Sequence, residues 1–174
     1  MDALHAIFTR RSTRQFTREP VAPEALRTIL EAGMSGPSCV NSRDWSFVAV
    51  TDRELLDKMA EANGAPARHL LGAPAGIVVC GDLSRSFPKA PEYWTVDAAI
   101  AAQNICLCAQ ALGLGAVWLG TWPQMERVEK QQALLGLPEH IVPHSIIALG
   151  HPLGDITEPR PSRWEEDRVH WNGW

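Results

Sequence analysis

The run from Asp97 to Leu112 constrains this fold more than any other stretch. Ala98, Ala99, Ile100, Ala101, Ala102, Ile105, Leu107, Ala109, Ala111 and Leu112 leave few polar positions in it. A helix that is apolar or small around most of its circumference has little face to offer water, so it must be central or buried in an assembly. Gly113 and Gly115 end it. The remaining elements must therefore be layers built around one buried rod.

Three further helices are expected. One starts at Ala22-Pro23-Glu24, carries Leu26, Ile29 and Leu30, and stops at Gly33; the others span 53–62 and 125–135. Short apolar runs at 47–50, 77–80, 116–119 and 145–149 read as strands. Leu4, Ile7 and Phe8 fall on one face of a short N-terminal helix. The stretch 64–74 reads as a mobile connector broken by two prolines. Helices and strands interleave, which predicts helical layers around one sheet, an α+β fold of three α/β/α layers. A chain of 174 residues is one domain by size. Its body is expected over 1–152, with an extended arm over 153–174. Trp164, Trp171 and Trp174 crowd the chain's end, and aromatics there imply that the arm packs on something.

Composition excludes several classes. A net charge of −4 argues against nucleic-acid binding. No apolar run reaches the ~20 residues needed to span a membrane. The N-terminus lacks the basic-then-apolar pattern of a signal peptide, so the cytoplasm is the expected compartment. Cys106 and Cys108 are two residues apart on a helix and face differently; with Cys80 they read as buried thiols, and no histidine spacing suggests a metal. Gly113-Leu114-Gly115 lies between a helix and a strand, the reverse of a dinucleotide fingerprint.

Against this acidic background, Arg10-Arg11-Ser12-Thr13-Arg14 places three guanidiniums and two hydroxyls in five residues. An arginine fork matches a phosphate bidentately, and a hydroxyl adds another bond. The cluster points to a bound phosphate. A Gly/Pro/Ser/Asn-rich loop over 35–44 is the second unusual segment.

Five segments in order resemble the FMN-dependent nitroreductase family, in its small single-domain members. They are Arg10–Arg14 with Phe16; Gly36-Pro37-Ser38-Cys39-Val40-Asn41-Ser42-Arg43-Asp44-Trp45; the helix from Asp97 to Asn104; Gly113 to Gly120; and Ala148-Leu149-Gly150-His151-Pro152 with the arm through Arg160 to Trp171. The resemblance implies a mostly antiparallel sheet and a homodimer whose arm is swapped onto the partner. It also implies FMN, with NADH or NADPH as hydride donor and nitroaromatics, quinones or similar small oxidised molecules as acceptors, by ping-pong turnover. The alternatives are another reaction on the same fold, dehalogenation or flavin breakdown, and a flavin-binding module without turnover.

By the same resemblance, Arg10, Ser12 and Arg14 would hold the phosphate and ribityl end, with Arg11 acting through backbone or side chain. Pro37, Ser38, Cys39 and Asn41 would line the flavin ring of the partner. The backbone of Leu119 and Gly120 would lie near N5, with no side-chain acid or base required, and Arg160 and Arg163 would add late cationic contacts. Two departures stand out. The family's Gln-Pro-Trp is here Arg43-Asp44-Trp45, where Arg43 is expected either to pair with Asp44 or to change which anions approach. A late basic pair is here Glu158-Pro159-Arg160. Trp94 is open between surface packing and a ring stacked near the substrate pocket, and His151 between capping the strand end and touching the ligand.

Overall fold

The computed structural model describes residues 1–174. Five helices are α1 (Ala3–Thr9), α2 (Pro23–Met34), α3 (Arg53–Asn63), α4 (Trp94–Ala111) and α5 (Met125–Leu135). Four strands are β1 (Trp45–Val50), β2 (Ala75–Asp82), β3 (Gly115–Gly120) and β4 (Ile141–Gly150). The strands form one sheet in the order β1-β2-β4-β3, antiparallel throughout.

The sheet is buried on both faces, and strand periodicity divides its side chains between two cores. Ile77, Val79, Ile147 and Leu149 join α4, whose Ala98, Ala101, Ala102, Ile105 and Ala109 lie on that face. Val78, Cys80, Ile146 and Ala148 turn the other way, onto Leu56, Met59 and Ala60 of α3. The three-layer α/β/α expectation holds. α4 is the central helix of its layer, packed against α2 and α1 as well as the sheet.

Several boundaries differ from the sequence reading. Gly33 does not stop α2. It sits inside the helix, where a Cβ would meet Ile105 at 3.0 Å, so its role is to let α2 approach α4. The stretch 64–74 is not a loose connector: Ala65–Gly72 forms 3-10 turns, pinned by Arg53, which donates to the carbonyls of Ala73 (2.8 Å) and Leu70 (3.0 Å). β4 begins at Ile141 rather than 145 because it absorbs Pro143. The ladder shifts register at that point, Val79 facing Ser145 and Cys80 facing Pro143, so His144 is the extra residue of a bulge.

The bulge turns His144 into an aromatic cluster, edge-on to Trp94 (6.0 Å) and Trp118 (5.7 Å), with Trp94 also edge-on to Trp122 (5.1 Å). Burial pushes the imidazole down to about 4. A histidine with a lowered folded value weakens the fold as pH falls from its ordinary value of 6.5 towards 4. His144→Phe should therefore flatten the acid side of the stability curve, removing up to about 3 kcal/mol of pH dependence. Urea titrations at stepped pH check this.

Candidate active site

The arginine cluster runs as an extended segment beside the edge strand β3. Ser12 bridges Ala116 in parallel, and the Thr13 N–H donates to the Ala116 carbonyl at 2.9 Å. Thr13 is buried against Gly115, where a Cβ would come within 2.5 Å of its side chain. Alternation along an extended chain then sends Ser12 and Arg14 outward, and both are exposed. Glycine at 115 is thus what allows the segment to lie this close.

The arm closes over the start of this segment. Buried Gln110 donates to Thr9 Oγ1 (3.1 Å) and to the Ile156 carbonyl (2.7 Å), stapling α1, α4 and the arm together. Arg160 Nη1 donates to the Arg10 carbonyl at 2.9 Å. Arg11 spends its guanidinium on the carbonyls of Thr9 and Glu158. Arg11 therefore clamps the arm by its side chain, and the acid at position 158 matters little because its backbone makes the contact. Arg10, Arg160 and Arg163 come together on an open groove of about 1110 Å³, with Gln103 and Trp164.

β3 leads to Gly120, where an added Cβ would meet nothing within 4 Å. Its carbonyl accepts from Asn63 Nδ2 (3.1 Å) and Arg127 Nη1 (3.2 Å), and Asn63 Oδ1 accepts from Thr121 Oγ1 (2.8 Å). The peptide at the strand end is held in one orientation beside open space. Asn63 ends α3 and Arg127 lies in the first turns of α5, so no local pattern singled them out. His69 was missed for the same reason. Its pKa lies below the ordinary value, chiefly through burial and then through the nearby charges of Arg68 and Arg14.

The loop before β1 is a separate feature. Val40, Asn41 and Arg43 have φ of 45°, 59° and 50°. Left-handed backbone in such residues costs about 1–3 kcal/mol each and persists only where neighbours impose it. Ser38 Oγ accepts from the Arg43 N–H (2.9 Å), and Asn41 Oδ1 accepts from Arg43 Nε (3.1 Å). The Asp97 carboxylate accepts the Cys39 N–H through both oxygens (2.9 and 3.1 Å). Arg43 thus bonds to Asn41 and not to Asp44, whose carboxyl is buried.

Within one chain this loop does not reach the arginine cluster. β1 and β3 are opposite edges of the sheet, three strand spacings or ~14 Å apart. Asp97, under the loop, and Gln110, under the cluster, are separated by ~20 Å along α4. Trp94 is core, lying flush against Gly81. His151 lies 3.7 Å from Glu19, and its carbonyl accepts the Thr17 N–H.

A model of the Nitroreductase family matches residues 7–69 and 63–151. The chain belongs to this family. A Methanothermobacter thermautotrophicus protein provisionally named NADH dehydrogenase/NAD(P)H nitroreductase is 43% identical, over 100% of this chain and 88% of its own. A crystal structure from Bacteroides thetaiotaomicron, provisionally given the same name, superposes with a TM-score of 0.90 at 41% identity, covering 99% of this chain and 98% of that one. An FMN-dependent nitroreductase from Clostridium difficile superposes at 0.88 with 27% identity, covering 98% and 99%. The fold is the nitroreductase fold.

In this nitroreductase-family chain the contact of Thr13 with Gly115 sets the placement of the arginine cluster. Gly115→Ala should cost about 1–3 kcal/mol by overpacking and should loosen the segment. Hydrogen exchange of the peptide 10–16 should accelerate while α3 stays protected.

Proposed function

We propose that this chain is an FMN-dependent oxidoreductase that uses NADH or NADPH to reduce small oxidised acceptors, nitroaromatics and quinones among them. The observation that carries the reading is the pairing of the arginine segment with β3, the strand that ends at Gly120. Outward-facing Ser12 bridges Ala116 of β3, with the Arg10–Arg160–Arg163 groove beside the start of its segment, and β3 leads from that bridge to the open side of Gly120.

The residues fit FMN. No ion pair within the chain occupies Arg10, Arg14, Arg160 or Arg163, so these cations are available to a phosphate. The missing Cβ at Gly120 leaves room for a planar ring against the backbone. When bound, FMN supplies the hydride chemistry, taking two electrons from the nicotinamide and passing them to the acceptor. The chain's own part is to bind and orient. Asn63 and Arg127 fix the peptide that would face the ring at its reactive edge. Hydride donor and acceptor would use the same open face in turn, which predicts ping-pong kinetics.

The proposal includes a homodimer. Leu4, Ile7 and Phe8 of α1 are 51–66% exposed, and Val96 of α4 is also exposed. The apolar face expected to be buried therefore meets water in the single chain. Trp164, Trp171 and Trp174 are exposed as well. The arm from Ile156 to Arg160 is fastened to its own chain, so the part that would reach a partner is 161–174. Pairing through these surfaces would carry the 37–41 loop of one chain towards the Gly120 end of the other, closing the separation seen within one chain.

Three measurements test this reading. Purified protein should carry FMN, bleached by NADH or NADPH without oxygen; slow or absent bleaching would make the chain a flavin binder only. Arg10→Ala should lower FMN retention about tenfold or more, as expected for a lost charge-assisted contact of ~1.5–3 kcal/mol; unchanged FMN content would remove Arg10 from the site. Phe8→Glu should shift the protein from dimer to monomer in light scattering and lower FMN retention with it.

A further inference from the structure

Arg43 is exposed at the end of the loop before β1, and it is held at two points. Its N–H donates to Ser38 Oγ (2.9 Å), and its Nε donates to Asn41 Oδ1 (3.1 Å). The backbone that presents it is left-handed at Val40, Asn41 and Arg43 itself. Strain of this kind collects at ligand clamps, where surrounding contacts impose it. No carboxylate of the chain neutralises Arg43. It takes part in no ion pair, and the carboxyl of its neighbour Asp44 is buried. Nε is the one guanidinium nitrogen with a partner, so both Nη groups are free.

From this geometry we infer that Arg43 is an oxyanion clamp for the small molecules that exchange over the flavin ring. With Nε spent on Asn41, Nη1 and Nη2 remain side by side. That end-on fork matches two oxygens of a carboxylate or of a phosphate. Ser38 and Asn41, which hold the fork, belong to the segment expected to line the partner's ring. The FMN phosphate has its own cations in the Arg10–Arg160–Arg163 groove, so the anion taken by Arg43 belongs to an exchanging molecule. Two molecules carry one: an acceptor with a carboxylate, and NADPH with its 2′-phosphate. This placement rests on the function and the dimer proposed above.

Arg43 stands where the family pattern has glutamine, so the charge is this chain's own departure. A glutamine amide offers one neutral donor group; the guanidinium adds charge and a second parallel bond. Its fixed Nε also lowers the cost of ordering a long side chain when a ligand arrives. Specificity is a difference of affinities. Arg43 therefore separates anionic from neutral molecules of one shape, and it acts on binding rather than on the hydride step.

Equilibrium dialysis of 4-nitrobenzoate and 4-nitrobenzamide against the oxidised holoprotein tests the clamp, comparing wild type with Arg43→Asn. Asparagine tolerates left-handed backbone, so the variant removes the charge without adding strain. The preference for the carboxylate over the amide should fall about tenfold, as for a lost charge-assisted fork. Arg43→Lys, which keeps the charge and loses the fork, should recover part of it. In ping-pong turnover kcat/KM for each substrate is read separately, which distinguishes the two sources. A fall confined to NADPH relative to NADH keeps the clamp and assigns it to the nucleotide phosphate. Unchanged ratios for both pairs overturn the clamp; if light scattering then shows a loosened dimer, Arg43 is an interface residue instead. Dialysis needs no turnover, so the two readings fail apart. An Arg43-dependent preference in protein that NAD(P)H does not bleach keeps the clamp and removes the oxidoreductase. Bleaching with unchanged ratios does the reverse.

Discussion

The packing of α4 against one face of the sheet is the contact on which the rest depends. Its small residues, Ala98, Ala101, Ala102 and Ala109, let the helix lie close over Ile77, Ile147 and Leu149. That closeness places functional contacts at both ends of the rod. Gln110 staples α1 and the arm near its C-terminus, and Asp97 anchors the strained loop near its N-terminus. Both are buried polar residues in an apolar helix, and each is tied to a segment far away in sequence.

The candidate site is built mainly from backbone. The arginine cluster is aligned by a bridge to Ala116, the arm is held through the carbonyls of Glu158 and Ile156, and the peptide after Gly120 is held through the Gly120 carbonyl. Such a site tolerates changes of side chain where only a carbonyl is used, which is how Glu158 stands where a cation was expected. It tolerates much less where a Cβ would intrude, as at Gly115 and Gly81. The open side of Gly120 fits a planar ligand for the same reason: the groups that fix the strand end leave its other face clear.

The helices, four strands and layered architecture were legible because they follow from periodicity and from the apolar composition of α4. Legibility failed where an interaction linked distant segments. Arg43 was weighed as a partner for its neighbour Asp44, but Arg43 turns to Asn41 and Asp44 is buried. Asn63, His69 and Arg127 could not be singled out, since only the sheet and its flanking helices bring them to Gly120 and Arg14. Trp94 reads in the sequence as surface packing or a pocket ring; it is core instead, because Gly81 admits the ring beneath β2.

The sequence by itself determined that one buried helix must organise the chain, that a phosphate-matching cluster opens it, and that five ordered segments place it in a family. These are local properties of pattern, charge and spacing. Only the tertiary structure decided which arginines remain available to a ligand, that the expected ring-lining loop lies some 14 Å across the sheet from the cluster of its own chain, and that the Asp97 carboxylate anchors that loop. Those outcomes depend on which side chains meet after long stretches of chain have closed. Pairing of that kind is fixed by packing geometry and burial, which no local pattern encodes.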